Sequence, residues 1–354
     1  MKSTKYIGGP GMTSRERVKC ILNRKTADCT GFWMGAPVER TLEIYCQYFN
    51  VTSHEELSTK LESDLFWVPA EFDAYHHPEG RPMFDVLGGK ERKSVCDPGV
   101  FAECADIAEV ESFYWPDAKY LDFNEAIRQM DRIHTNNQAV FGGPWSCIFQ
   151  FTVDFFGMEN LFIKMYTEPA VVEAVIEHIV SFYLAANKKF FDIAADRLDA
   201  FFFANDLGGQ EDLLISPELI KRFFIPGFKK IIEQAKSYGL KVIMHSCGAV
   251  SKAIPMLIEA GIDGLHPLQT KAKGMDAETL SREFGRDLIF IGGIDTQELL
   301  TKGTDIEIYN EVKRLREVFG MGFIVSPSHE GVLPDISPQN MLALKRAATF
   351  FKNE

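Results

Sequence analysis

Long apolar runs are missing from this sequence. No stretch approaches the roughly 20 consecutive apolar residues that cross a bilayer, and Met1–Pro10 holds no apolar segment of signal-peptide length. Paired cysteines are missing too: seven thiols lie scattered, with no Cys-x-x-Cys spacing. That excludes a disulfide framework and suits a reducing compartment. These absences predict a cytoplasmic protein. Positive charge is short, with 38 Lys and Arg against 50 Asp and Glu and a formal net charge of -12. Such a chain repels polyanions, which argues against nucleic acid as its main partner. No strand–Gly-x-Gly-x-x-Gly–helix unit opens the chain, so a dinucleotide-binding open sheet lacks its fingerprint. Internal repeats, low-complexity tracts and linkers are absent as well.

What is present is globular: 46% hydrophobic and 25% charged residues over 354 positions. Thr13-x-x-Glu16 and Thr304-x-x-Glu307 have the form of capping boxes, and Ser216-Pro217 and Ser337-Pro338 that of an N-cap followed by proline. Between such helix starts lie short apolar runs. They predict strands at Thr30–Met34, Asp64–Val68, Ala139–Gly143, Ala200–Ala204, Lys241–His245, Asp263–His266, Leu288–Gly292 and Gly322–Ser326. Strands that are apolar throughout rather than alternating belong to a parallel sheet covered on its outside. Eight of them separated by helices predict a (β/α)8 barrel, taken as one domain over residues 1–354. The Gly-, Pro- and charge-rich stretch 71–110 interrupts the pattern and predicts an inserted hairpin or lid over one end.

The chemistry concentrates at Lys241-Val-Ile-Met-His-Ser-Cys-Gly248. Side chains two apart on a strand share a face, so an extension through position 247 aims His245 and Cys247 at one point. Imidazole plus thiolate suits zinc. The same pair also fits a core histidine beside a buried thiol. The strand ends add a polar set: Asp64, Asn205, Asp206, Gln210, His266, Gln269, Asp295, Gln297, His329 and Glu330. In a (β/α)8 barrel, catalytic groups stand at the carboxyl ends of strands and in the loops that follow.

Several segments together resemble the uroporphyrinogen decarboxylase superfamily over nearly the whole chain. They are Thr13-Ser-Arg-Glu-Arg-Val18, Gly143-Pro-Trp145, Leu214-Ile-Ser-Pro-Glu-Leu219, Gly292-Gly-Ile-Asp295 and Ser326-Pro-Ser-His-Glu-Gly-Val-Leu-Pro-Asp-Ile-Ser-Pro338. The true decarboxylases carry a Gln-Ala-Gly-Arg-Tyr segment after strand one. Here Trp33-Met-Gly-Ala-Pro-Val-Glu-Arg40 stands instead. Ser63-Asp64-Leu65 does resemble the segment holding the pyrrole-binding aspartate of that branch. The cobamide-dependent methyltransferase branch has His-x-Cys after strand five and a cysteine in Ser-Pro-Gly-Cys after strand eight, all three binding zinc. His245 and Cys247 match the first pair, and His329 takes the place of the last cysteine.

The resemblance to that second branch implies zinc held by His245, Cys247 and His329. It also implies a methylcobamide, carried on a separate small protein, as methyl donor or acceptor. A thiol bound at the open zinc position would attack a methyl group on cobalt(III), leaving cobalt(I). The partner is a thiol such as coenzyme M, a folate, or, in reverse, a methylated substrate. Asp206 and Asp295 are expected to orient a ligand or the acceptor. Asp64, Asn205, Gln210, His266, Gln269, Gln297 and Glu330 are expected to line the substrate pocket. Phe72, Tyr75, Phe84 and Phe101 of the insertion are expected to touch the corrinoid or its carrier. Two alternatives stand beside this one. One is a porphyrinogen decarboxylase that needs no metal. The other is a metal-dependent lyase or hydrolase with Asp206 or Asp295 as general base.

Overall fold

A computed structural model describes residues 11–70, 74–91 and 93–350. Eight strands hydrogen-bond in parallel: β1 Gly31–Phe32, β2 Leu65–Pro69, β3 Ala139–Gly143, β4 Ala200–Ala204, β5 Val242–His245, β6 Gly264–Leu268, β7 Ile289–Ile294 and β8 Phe323–Pro327. Their order around the sheet is β1-β8-β7-β6-β5-β4-β3-β2. The seam between β1 and β2 is bridged by Asp64. Its amide donates to the Phe32 carbonyl at 2.7 Å, and its carboxylate accepts from the Phe32 amide at 2.8 Å. With helices outside, this is the expected (β/α)8 barrel.

Strand alternation decides what fills the barrel. Leu65, Phe141, Phe202, Ile243, Ile289, Ile291 and Ile324 form one interior cluster with Trp33 and Trp145. Phe66, Val68, Phe201, Phe203, Val242 and Met244 pack outward into the larger core beneath the helices. Both capping boxes form as written, with Thr13 and Thr304 each accepting from the amide three residues on. Among helices the pattern did not announce is Ile148–Phe156; six of its nine residues are buried, and its polar edge is only Gln150 and Asp154, so little marks its period.

The long helix Pro169–Ala194 is apolar enough by composition for a membrane crossing, with an 18-residue window of mean hydropathy 1.4. Its apolar residues serve the core instead: Val172, Val175, Ile179, Tyr183 and Phe190 are fully buried. Glu173 and Glu177 meet Arg222 and Lys230 on the outer face.

The stretch 71–110 departs from expectation. Among its described residues no hairpin forms; Tyr75 makes a single bridge to Leu121. Phe84 packs on Phe151, Phe155 and Phe182, and Phe101 on Phe113, Trp115 and Phe155. Both rings are buried, at 8% and 4% exposure. They join the large core beneath the helices, out of reach of a partner; Tyr75 is half-buried against Tyr120 and Phe182, and Phe72 lies outside the described residues. Burial of this kind sets an expectation: Phe84→Ala should lower stability by about 3 kcal/mol in chemical denaturation. Little loss of stability would put the ring outside the core and restore the expected docking role.

Candidate metal centre at the barrel mouth

The mouth is built on the ends of β4, β5 and β6. Ile243 belongs to the interior cluster and Met244 to the outer core, so the next inward residue is His245. It is 3% exposed and lies beside Trp145, Phe202 and His266 at ring separations of 5.5, 6.4 and 5.1 Å. The strand ends there, two residues short of Cys247, yet the thiol still returns to the imidazole. Cys247 Sγ lies 3.4 Å from His245 Nε2.

Backbone contacts hold that posture. The Cys247 amide donates to Asp206 Oδ1 at 2.9 Å, the Ser246 hydroxyl accepts from Leu207 at 3.1 Å, and Ala249 donates to the Gly209 carbonyl at 2.7 Å. Gly248 has φ +88°, and a β-carbon there would collide with the carbonyl oxygens of Gly208 and Gly209. The loops after β4 and β5 therefore press backbone on backbone, which glycine permits. Asp206 and Cys247 arrive together as a result.

Asp206 Oδ1 is also 3.2 Å from His245 Nε2. On the other side of the ring, His245 Nδ1 lies 3.0 Å from His266 Nδ1 and 3.6 Å from Glu330 Oε2. Three groups of possible ligands thus share members: Asp206–His245–Cys247, His245–His266–Glu330 and Cys247–His329–Glu330, each with ligand atoms within 4.8 Å of one another. Burial by itself would lower the pKa of His245, but Glu330, Asp206 and Cys247 together raise it well above the usual imidazole value. His266, fully buried beside His245 and His329, is pushed well below that value. His329 is raised to about 9, chiefly by its hydrogen bond to Cys247. Asp206 is held below the ordinary carboxylate value: burial opposes this, but His245 and the Cys247 amide outweigh it.

The donor set tests well against a metal. Thiol, imidazole and carboxylate are the ligand types zinc takes. Two buried atoms at the site, His266 Nε2 and Glu330 Oε2, have no hydrogen-bond partner among the described residues. Buried polar atoms are ordinarily paired, so an orphan carboxylate oxygen within reach of two imidazoles and a thiol points to an ion or water.

The remaining expected residues divide. Gln269 accepts from the Gly248 amide at 2.9 Å and meets Gln210 at 3.4 Å. With Gln297, Lys271, His329 and Asp335 they line a cavity of about 330 Å³. Asn205 is fully buried and ties β4 to the preceding loop, accepting from Phe149 at 2.7 Å and donating to the Ser146 carbonyl at 3.3 Å. Asp295 is 6% exposed and accepts from the amides of Gln297, Glu298 and Leu299, so it holds the turn leading into the helix Leu299–Lys302 while lining the same cavity. Asp64 stands at the opposite end of the barrel. It precedes β2, and it is buried against Arg17, which also holds Asp28 at 2.7 Å. The expectation that placed it at the mouth is corrected: a residue before a strand lies at the amino end.

The aromatic floor went unnoticed in the sequence. Trp67 packs on Trp145 at 4.5 Å, and Trp33 and Phe202 close on His266 at 5.0 and 5.3 Å. The alternation Leu65, Trp67 on one strand and Phe202 at the centre of another could have shown which rings point inward.

Fold and mouth together define a (β/α)8 barrel with a thiol–imidazole–carboxylate cluster at its carboxyl end. The family model described as uroporphyrinogen decarboxylase (URO-D) matches residues 93–350, and the chain belongs to that family. Methylated-thiol–coenzyme M methyltransferase of Methanosarcina mazei is 27% identical over 191 residues, 54% of this chain and 48% of that protein. Methylcobamide:CoM methyltransferase MtbA of Methanosarcina acetivorans is 24% identical over 204 residues, 56% and 55% of the two chains. This chain spans about half the length of the curated relatives it matches. A solved methyltransferase structure from Methanosarcina mazei superposes with a TM-score of 0.68 at 15% identity, covering 96% of this chain and 99% of that one, a likeness of fold.

Proposed function

We propose that this protein transfers a methyl group between a corrinoid and a thiol, using a zinc ion held by His245, Cys247 and a third ligand from His329 or Glu330. The observation that carries the reading is the 3.4 Å approach of Cys247 Sγ to His245 Nε2 at a barrel mouth, in a chain whose relatives are named methylcobamide:CoM and methylated-thiol–coenzyme M methyltransferases. When bound, such an ion supplies the Lewis acidity that keeps an acceptor thiol deprotonated near neutral pH.

The chain's own residues do the rest. Asp206 fixes the Cys247 backbone and faces His245 Nε2, so both ligand atoms are oriented before an ion arrives. The interior rings of Trp33, Trp145 and Phe202 exclude water beneath the imidazoles, which strengthens every charge interaction above them. Gln210, Gln269 and Gln297 supply amide donors and acceptors to the 330 Å³ cavity beside His329, where the methyl-accepting or methyl-donating small molecule would sit. A corrinoid, too large for that cavity, would lie across the open mouth on its carrier protein.

The decarboxylase alternative suits this mouth poorly. A macrocycle with eight carboxylates needs clustered Arg and Lys, whereas the cavity holds Lys271 against Asp295 and Asp335. The general-base alternative is weakened by the engagement of both candidates, Asp295 with three backbone amides and Asp206 with His245 and Cys247.

Zinc titration of two variants separates the third ligands. The Glu330 side chain is 20% exposed, but its Oε2 is buried without a hydrogen-bond partner among the described residues and lies 3.6 Å from His245 Nδ1, while the His329 side chain is 46% exposed and its Nδ1 accepts from the Gly331 amide at 3.1 Å. Glu330→Gln is expected to weaken zinc at least 10-fold and His329→Ala by less, on the scale of ligand and outer-partner losses. The reverse ranking would assign the third place to His329. Indifference of zinc content to both would leave the centre without a third ligand and count against it.

A further inference from the structure

His245 and His266 are register partners on adjacent strands, β5 and β6. Their side chains meet Nδ1 to Nδ1 at 3.0 Å in the barrel's interior, with no exposure at His266. Two nitrogens bound to one tetrahedral ion at 2.0–2.1 Å stand about 3.3 Å apart. The observed separation is that of a hydrogen bond.

A neutral imidazole has one donor and one acceptor nitrogen, so its ligating face is chosen by what the other nitrogen does. At His245 the two nitrogens see different company. Nε2 faces Cys247 Sγ and Asp206 Oδ1, the ligand side. Nδ1 faces His266 Nδ1 and, 3.6 Å away, the unpartnered Glu330 Oε2. Asp206 Oδ1 favours an N–H on Nε2 by the same rule, but an ion on Nε2 takes that lone pair and leaves the proton to Nδ1, where the Glu330 oxygen and a His266 lone pair both favour it. His266 cannot turn away, because Trp33 and Phe202 clamp its ring at 5.0 and 5.3 Å.

We propose that His266 is a positioning residue whose Nδ1 accepts the Nδ1–H of His245, turning His245 Nε2 toward Cys247 as the ligand atom. The inference rests on the metal centre proposed above, but the hydrogen bond itself does not require the ion. An asparagine at 266 can set its amide oxygen near the Nδ1 position; a leucine fills much of the space and accepts nothing.

The test compares wild type, His266→Asn and His266→Leu in the full chain. Zinc affinity is measured by chelator competition, thermal unfolding is measured on the metal-free protein, and the His245 ring nitrogens are read by ¹⁵N NMR. His266→Leu should weaken zinc roughly 10–100-fold while His266→Asn stays within about threefold of wild type. Both should unfold at lower temperature, since both lose ring packing. If Asn loses as much zinc affinity as Leu, His266 is a ligand or a packing residue and the proposal falls. It falls equally if neither variant loses affinity. Should wild type itself bind no zinc, the metal centre fails, and the nitrogen readout then decides this proposal alone. A protected proton on His245 Nδ1 in wild type and in His266→Asn, exchanging fast in His266→Leu, upholds it. A bare Nδ1 in wild type overturns it.

Discussion

On the proposed function, Cys247→Ala is expected to leave a folded barrel that holds no zinc and transfers no methyl group. Cys247 is half-buried at the mouth and outside both hydrophobic clusters, so its loss opens no core cavity. Its backbone hydrogen bond to Asp206 survives the substitution. What disappears is the sulfur, the one thiol among the candidate ligands in the three groups. Loss of a direct ligand should exceed the roughly 10–100-fold cost of losing an outer partner, and carry transfer from methylcobalamin to a thiol down to background. Metal analysis of the purified variant beside wild type, with circular dichroism as the control for folding, measures this. Full zinc occupancy in a folded Cys247→Ala protein would remove the metal centre as drawn.

The second large effect lies at the other end of the barrel. Arg17→Leu should destabilise the protein by about 3–5 kcal/mol, because it strands a buried carboxylate. Arg17 is 5% exposed and Asp64 2%. Their contact, together with Arg17 to Asp28, holds the segment where β1 and β2 meet. Burial already raises the pKa of Asp64, against the pull of Arg17. Without the guanidinium the carboxyl must take up a proton or remain an uncompensated charge. Denaturant unfolding checks the magnitude. KM for the methyl acceptor should stay as in wild type for the fraction that remains folded. A raised KM with unchanged stability would return Asp64 to the substrate pocket.

These two residues show what local sequence can and cannot carry. His245 and Cys247 are two apart, so the pair is legible within eight residues, although the loop after β4 holds the thiol in its posture. Asp64 stands just before the apolar run Leu65–Pro69, and the direction of that strand by itself puts it at the amino end of the barrel. Asp295 is ambiguous, since an aspartate after a strand is both a mouth residue and a helix cap. Its three amide partners hold the turn before the helix Leu299–Lys302, and it still lines the cavity at the mouth. Phe84 and Phe101 read as loop aromatics because the helix that buries them, Ile148–Phe156, has too apolar a sequence to announce itself.

By itself the amino-acid sequence determined the barrel, its helix starts and the facing of His245 into the lumen. Period, capping and apolar runs act over a few residues, and their information is local. Only the tertiary structure decided the company His245 keeps. His266 arrives from the neighbouring strand, Asp206 from the strand before, and Glu330 from 85 positions along the chain, beyond β8. Such contacts join residues whose separation no period encodes; they exist because a closed sheet brings the carboxyl ends of its strands around one axis.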